Sequence, residues 1–436
     1  MEGKAVEDKM NRVVALPVNL QTLFSGERAK RIPYHHMYGK PYCLPYTIVY
    51  SEEEYKEITA ASEQLDRIYC KTLRFTQRHL PDPFFINQLG IHPALIPCSR
   101  IEVQYHGVSR QDWIINRDGM KLIENNTDTP TGIPETAYLS GSIIEDYTQL
   151  KNPSHRMDPT IQQAFQRLID YYIEHGYSGR IAFSCYDWHE EDRCNTLYLM
   201  EQARKVTDQV RFAPIEELEV IPDVGLFYQG EKIEIWYRLY PLEYLVHDVA
   251  PDGFPTGMAI LRLIENGKLA IINPAQSIIT QSKGFLALLW GLYEQSDFFT
   301  EEECKMIQSY CLPTYFHDQY FQDQGMPYVA KALFGREGKG TTLMNEKGEK
   351  EEILWGEDQE EEWATRTYYM EQPKIFQQQI PMEKVHLSDE GEGYLLSGVF
   401  VIGGQCCAIM PRIGGKITGN MANFCPAGIQ VEKGEG

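Results

Sequence analysis

The hydrophobic spacing of this chain switches repeatedly between helical and strand periods, and that alternation suggests an α/β layer. Ser51 to His79 reads as a helix: Ser51 with Glu54 makes a capping-box pattern, and Ile58, Leu65, Ile68 and Leu73 recur at helical spacing. Arg100–Tyr105 and Met120–Glu124 read as strands of a hairpin turning at Asn116–Gly119. The helix Ile161–His175, the buried strand Arg180–Ser184, the acidic loop Asp187–Asp192 and the helix Asn195–Lys205 supply an α/β layer. Further strands are expected at Gly225–Tyr228, Ala270–Ile272, Pro327–Leu333, Ile375–Gln379 and Tyr394–Ile402, and further helices at Gly284–Tyr293 and Glu301–Gln308. Gly403-Gly404 reads as a hairpin turn returning along Cys406–Met410. The charged stretch Asn345–Glu362 reads as a solvated hairpin or mobile loop, and residues 1–30 as a partly ordered lead-in.

Charge limits the partners. Acidic residues outnumber Lys plus Arg by 62 to 41, and the net charge of −21 disfavours nucleic acid and anionic membranes as general partners. No stretch reads as a signal peptide or a bilayer span, so a cytoplasmic location is the default expectation. The 10 cysteines contain no C-x-x-C pair, which argues against a zinc-finger framework and for buried thiols in a reducing compartment. Cys406 and Cys407, adjacent in a strand, should point to opposite faces and fill core. Nothing in the sequence specifies an oligomeric state.

Three constellations could carry chemistry. Strand alternation puts Arg100 and Glu102 on one face, and Glu124 and Asn126 on one face of the partner strand. Hard oxygen donors of this kind suit magnesium with phosphates, although a salt-bridged surface hairpin would show the same residues. Lys331 ends an apolar strand before a loop with Gly335, Gly338 and Gly340, which could wrap an anion or form a flexible hairpin tip. The loop is not a Walker P-loop, because Lys339 is followed by Gly340. Gln377 and Gln378 follow Ile375-Phe376 in a strand that could border a base or be half exposed. No G-x-S-x-G elbow is present, and Arg193 stands where H-E-x-x-H needs its second histidine.

Taken in order, these residues give the chain a resemblance to the glutathionylspermidine synthase family, its synthetase domain, from about residue 30 to about 425. The resemblance rests on Arg100-Ile101-Glu102, the run Leu122 to Thr131, Lys283 with Leu288-Leu289-Trp290, Tyr328 to Lys331 with its glycine loop, Ile375 to Gln378, and Val401 to Gly404 leading to Arg412. It implies a permuted, ATP-grasp-like α/β (α+β) fold of mixed sheets with flanking helices over residues 31–430, with a candidate division near residue 250 between a substrate and metal lobe and an ATP lobe. It implies ATP and Mg2+ as cofactors, and an ATP-dependent ligase joining a small-molecule or peptide carboxylate to an amine through an acyl phosphate. Carried over, Glu102, Glu124 and Asn126 are expected to hold magnesium, and Arg100, Lys331 and Arg412 to face the transferred phosphoryl group. Lys283, Lys331, Gln377, Gln378, Gly335, Gly338 and Arg412 are expected around the nucleotide, and Thr129, Glu190 and Glu191 on the substrate side. Glu102 stands where the family commonly has aspartate. The rival readings are a nucleotide- or peptide-binding protein without turnover and an ATP-independent metal hydrolase. The former should lack a metal ligand or a lysine, and neither is missing.

Overall fold

The computed structural model describes residues 12–37, 39–351, 363–388 and 391–431. In chain order, the elements that frame the molecule's large cavity are helix α1 (Glu52–His79), strands β1 (Val108–Asn116) and β2 (Gly119–Asn126), helices α2 (Glu190–Arg204) and α3 (Gly284–Gln295), and strands β3 (Tyr328–Ala332), β4 (Lys374–Gln378), β5 (Gly391–Ile402) and β6 (Gln405–Gly414).

Two sheets and one parallel layer carry them. The largest sheet is antiparallel and runs Asn423–Phe424, β6, β5, β1, β2, with Glu383–Leu387 added alongside β5. A four-stranded antiparallel sheet orders Thr314–Tyr315, β4, β3 and Thr341–Met344. The parallel layer orders Ala270–Ile272, Ile235–Arg238, Ile181–Ser184 and Val210–Phe212. Helix Met157–Glu174 and α2 follow the strand–helix alternation expected for this layer. The segment expected as lead-in contributes from Val13–Ala15, which pairs with Tyr46–Ser51, and through the short helices Leu20–Leu23 and Glu27–Arg31. Residues 1–11 lie outside the described residues.

The strands β5 and β6 separate two hydrophobic cores. Val399, Ile409 and Cys406 pack into one with Trp113, Leu65 and Phe285, and Phe400, Met410 and Cys407 into the other with Phe165, Phe183 and Leu199. Adjacent cysteines therefore do fill opposite faces. Gly403 and Gly404 turn the hairpin at φ 55 and 83, a conformation with positive φ at both central residues that glycine adopts without a Cβ clash.

Helix α1 begins as the sequence indicates: Glu54 N–H donates to Ser51 Oγ at 3.0 Å, and Ser51 N–H to Glu54 Oε2 at 2.8 Å. Its other end explains why the first hairpin strand was misplaced. Residues 96–99 are a short helix with Pro97 in its first turn, and Arg100 caps α1, donating to the carbonyls of Gln77 (2.5 Å) and Leu80 (2.9 Å) and to Asp82 (2.6 Å). Those carbonyls have no partner within the helix, so the guanidinium satisfies them. Glu102 forms a bidentate pair with Arg78, both bonds 2.6 Å. The alternation of Ile101, Val103 and Tyr105 imitates a strand, but these side chains line a loop beside α1. The acidic stretch expected as a loop before α2 also differs: Glu190, Glu191 and Asp192 form the first turn of the helix, where carboxylates favour the dipole. The charged stretch begins as a turn closed by Asn345 N–H to Glu349 O at 2.9 Å, and residues 352–362 lie outside the described residues.

Among the described residues no helix is long and apolar enough to cross a membrane. Ser51→Ala should destabilise the fold by about 1 kcal/mol by leaving a first-turn amide of α1 without its cap, read as a lower urea midpoint at unchanged slope.

Candidate active site

The hairpin that carries the site is β1–β2, and its geometry follows from one irregularity. Trp113 pairs with Leu122, but the next residue, Asp112, pairs with Glu124, so Ile123 is inserted as a β-bulge. Before the bulge, Met120 and Leu122 enter the core with Trp113 and Ile115. After it the parity is reversed, and Glu124 and Asn126 join Arg110, Asp112 and Ile114 on the wall of the cavity. A regular strand would have sent Glu124 into the same core as Leu122.

The cavity holds about 900 Å3 and is shared by both antiparallel sheets, the glycine loop after β3 and the start of α2. On its floor Asp112 lies between two arginines: Arg110 Nε donates to Oδ1 at 2.9 Å and Arg412 Nη2 to Oδ2 at 2.9 Å. Burial alone would raise this carboxyl, but Arg110 and Arg412 outweigh it and hold Asp112 below the ordinary aspartate value. Arg412 Nε is buried with no hydrogen-bond partner among the described residues. A buried guanidinium with an unspent donor is costly unless an anion meets it.

Two lysines approach from the other side. Lys283 lies 3.2 Å from Glu124 and donates to Gly335 O at 2.6 Å. Lys331 Nζ donates to Gln377 Oε1 at 2.7 Å and to Ile123 O, a carbonyl of the bulge, at 3.1 Å. Burial lowers Lys331 to about 8, helped by Lys283 and opposed by Glu124 and Asp112. The hairpin and the lysines, far apart in sequence, thus meet in one cleft. Gln377 is turned inward and holds Lys331; Gln378, Gln379 and Ile380 continue the strand edge along the cavity.

The glycine loop is folded over the opposite wall. Gly338 and Gly340 have φ of 74 and 72, and a Cβ would come within 2.5 Å of Ile417 Cγ2 at Gly338 and 2.6 Å of Ala332 Cβ at Gly340. The loop places Arg336 between Glu243 (Nε to Oε1, 2.8 Å) and Thr129 (Nη1 to Oγ1, 3.1 Å). Gly335 lies behind the lining, where its carbonyl receives Lys283. The segment Thr127–Thr131 is fixed from beneath: Gln281 Oε1 accepts from Thr127 N (2.8 Å) and Asp128 N (3.0 Å), and Asp128 forms a fully buried pair with Arg238 at 2.6 Å.

Glu191 lines the cavity with Tyr186, Trp188 and Tyr240, whose rings contact one another through Tyr186. Burial, reinforced by Glu135 and Asp192, raises its carboxyl to about 8. Glu190, the next residue on the same helical turn, is exposed and outside the lining.

Of the residues singled out in the sequence, Glu124, Asn126, Thr129, Lys331, Gly338, Gln377, Gln378, Arg412 and Glu191 line the cavity, and Lys283 and Gly335 stand just behind it. Arg100 and Glu102 do not: they belong to the cap of α1, and Arg110 and Asp112 occupy the places expected for them. The signal was present. With the turn at Asn116–Gly119, counting back along the strand brings Gln111, not Glu102, opposite Glu124, and the one-residue bulge moves that place to Asp112, the aspartate the resemblance calls for. Arg336 and Lys339 on the loop were also missed as lining residues.

The donor chemistry fits a hard divalent cation. Asp112, Glu124 and Asn126 offer oxygen atoms on one wall, and Asn126 Nδ2 lies 3.4 Å from Asp112 Oδ2. Asp112→Asn should weaken binding of a divalent cation–triphosphate complex at least tenfold, whereas Glu102→Gln should leave it within twofold; titration calorimetry on both variants checks the assignment.

Residues 28–430 match the family described as glutathionylspermidine synthase preATP-grasp. A Haemophilus influenzae protein provisionally named an acid–amine ligase is 25% identical over 328 residues, 73% of each chain. The fold resembles that of a glutathione synthetase-like effector from Globodera pallida, with a TM-score of 0.54 and 11% identity over 88% of this chain and 89% of that one.

Proposed function

Because this chain belongs to the glutathionylspermidine synthase preATP-grasp family and is thereby an acid–amine ligase of ATP-grasp-like fold, we propose that it uses ATP and magnesium to activate a carboxylate as an acyl phosphate and then joins it to an amine. The observation that carries this reading is the convergence of Arg110, Arg412, Lys331 and Arg336 on one cavity with three oxygen donors. In a chain of net charge −21, such a concentration of cations marks the place for a polyanion.

Asp112, Glu124 and Asn126 would hold magnesium, which when bound neutralises phosphate charge. The remaining work falls to the protein's own groups. Arg110 and Arg412 sit on either side of Asp112 and face the γ-phosphoryl group; Arg412 spends its unpaired Nε there. Lys331, aimed by Gln377 and the bulge carbonyl, approaches the phosphates from the opposite wall. The edge of β4 and residues 379–382 border the base. Substrate carboxylate oxygen attacks the γ-phosphorus and ADP leaves; amine nitrogen then attacks the acyl carbon, loses a proton, and phosphate leaves. Both steps ask the protein for alignment and charge stabilisation rather than covalent participation. The glycine loop, packed against Ile417 and Thr418, excludes the water that would hydrolyse the acyl phosphate.

Glu191 is placed to receive the charge of the amine. The substrates are a small-molecule or peptide carboxylate and a polyamine-like or amino-acid amine. The test is ADP formation across a panel of carboxylates and amines: release requiring both partners is expected, and release indifferent to either overturns the reading.

Lys331→Met should lower turnover by about 10²–10³-fold, measured as ADP release with both substrates present. Since Glu191 is protonated below about 8, raising the pH through that value should ionise it and lower KM for the amine. Glu191→Gln should flatten this dependence while leaving KM for the carboxylate unchanged.

A further inference from the structure

Outside the cavity, Asp66 and Cys70 lie one helical turn apart on α1, and His106 reaches them from the loop that precedes β1. One ligand atom from each lies within 4.8 Å of the others. His106 Nε2 is 3.1 Å from Asp66 Oδ2, and Cys70 Sγ is 4.0 Å from the same oxygen. We propose that Asp66, Cys70 and His106 form a second divalent-cation site, suited to zinc, with solvent as the fourth ligand.

The separations suit that ion. Bonds of roughly 2.0–2.3 Å at tetrahedral angles put neighbouring ligand atoms about 3.3–3.6 Å apart, a range that lies between the two observed values. The donor set sorts the metal as well. One thiolate, one imidazole and one carboxylate suit a borderline ion such as zinc, whereas the all-oxygen wall of the cavity suits magnesium.

Both sides of the site are held in place before any ion arrives. The segment that carries His106 is pinned at its start, where Gln276 bonds Val103 N (3.0 Å) and Val103 O (2.9 Å) and Arg74 Nη2 donates to Val103 O at 2.5 Å. At its end, Asn273 Oδ1 accepts from Val108 N (2.9 Å), and Gly107 O accepts from Gly403 N (3.0 Å). Ligands fixed by such bonds lose little freedom on coordination. Arg74, one turn beyond Cys70, spends its other nitrogen on Gln77 (3.0 Å) and Gln276 (2.8 Å) and so leaves Asp66 to His106. The β5–β6 turn closes one side without adding a ligand, since even a Cβ on Gly404 would stand 3.6 Å from Asp66 Oδ2.

The other side is open. His106 keeps 26% of its side-chain surface exposed, against 9% for Asp66, which gives an entry path and room for water. A nucleophilic role for the thiol fits less well: burial, with Asp66, holds Cys70 up at about 12, far from a free thiolate. Coordination would clasp α1 to the Val103–Val108 segment beside the β5–β6 turn, immediately before the strand that carries Arg110 and Asp112.

The test uses metal-free full-length protein, kept reduced, in excess magnesium so that the oxygen site is filled. Cobalt(II) should bind at one equivalent with a near-ultraviolet thiolate-to-cobalt charge-transfer band, and zinc should displace it and raise the melting midpoint. Cys70→Ser should abolish the band and the zinc-induced shift while keeping the parental circular dichroism. His106→Gln should weaken zinc at least tenfold in chelator competition, and it decides the matter if Cys70→Ser misfolds. Absence of the band in the parent, a full band in Cys70→Ser, or parental zinc affinity in His106→Gln overturns the proposal.

Discussion

Ile123 bulges out of the ladder between β1 and β2, and the two faces of β2 exchange roles across it. On the turn side, Trp113, Ile115, Met120 and Leu122 are core; on the far side, Arg110, Asp112, Glu124 and Asn126 are cavity wall. A hairpin with uninterrupted alternation would have to bury Glu124 beside Leu122, and an unpaired carboxylate there would cost several kcal/mol. The inserted residue removes that conflict, and its carbonyl becomes an acceptor for Lys331. The same irregularity therefore turns Glu124 and Asn126 to the cavity and anchors the lysine opposite them. Bulges are common beside active sites because they re-aim side chains without dismantling a sheet.

The charges gathered there do not balance among themselves. Arg110 and Arg412 share Asp112, and Lys283 and Lys331 crowd Glu124. Burial lowers both Lys331 and Arg412 from their ordinary values, so the protein holds these cations at a cost in the absence of a ligand. Perturbation by burial and by like charge together, inside a cleft, is the pattern expected of a functional site more than of a structural ion-pair network. A polyanion would relieve the repulsion and satisfy the unpaired donor of Arg412, and under the proposed reading a triphosphate is that polyanion.

How much of this could be read from the sequence depended on whether the signal was local. The capping box at Ser51 and Glu54, the helix it starts, the turn at Asn116–Gly119 and the Gly403-Gly404 hairpin all rest on neighbouring residues, and each stands in the structure where the sequence places it. Arg100 and Glu102 failed for a tertiary reason. Their Arg-x-acid spacing is the same as that of Arg110 and Asp112, and only the packing of Arg100 against the end of α1 separates a helix cap from a cavity wall. The register could still have been counted from the correctly placed turn, had the bulge been allowed for. Glu190 and Glu191 were inseparable for another reason: adjacent residues on a helix diverge by about 100°, and which one faces the cavity depends on how α2 packs.

The polarity of the cavity bears on the proposed chemistry in a way that no single residue does. Arg110, Arg412, Lys283 and Lys331 gather about Asp112 and Glu124, while Glu191 lines the same cavity with the rings of Tyr186, Trp188 and Tyr240. A ligase of this kind must hold a nucleotide and an activated carboxylate, both anionic, against an amine that arrives as a cation. The cations about Asp112 and Glu124 attract the two anionic reactants, and under the proposed reading Glu191 attracts the amine only once it has ionised. The amine must nevertheless lose its charge to attack. A carboxyl raised to about 8 suits that need, because near neutral pH it exchanges protons readily and does not hold the ammonium as a permanent ion pair. Under the proposed reading, burial of Glu191 beside Glu135 therefore sets both the selectivity of the amine end and the ease with which its ligand becomes a nucleophile.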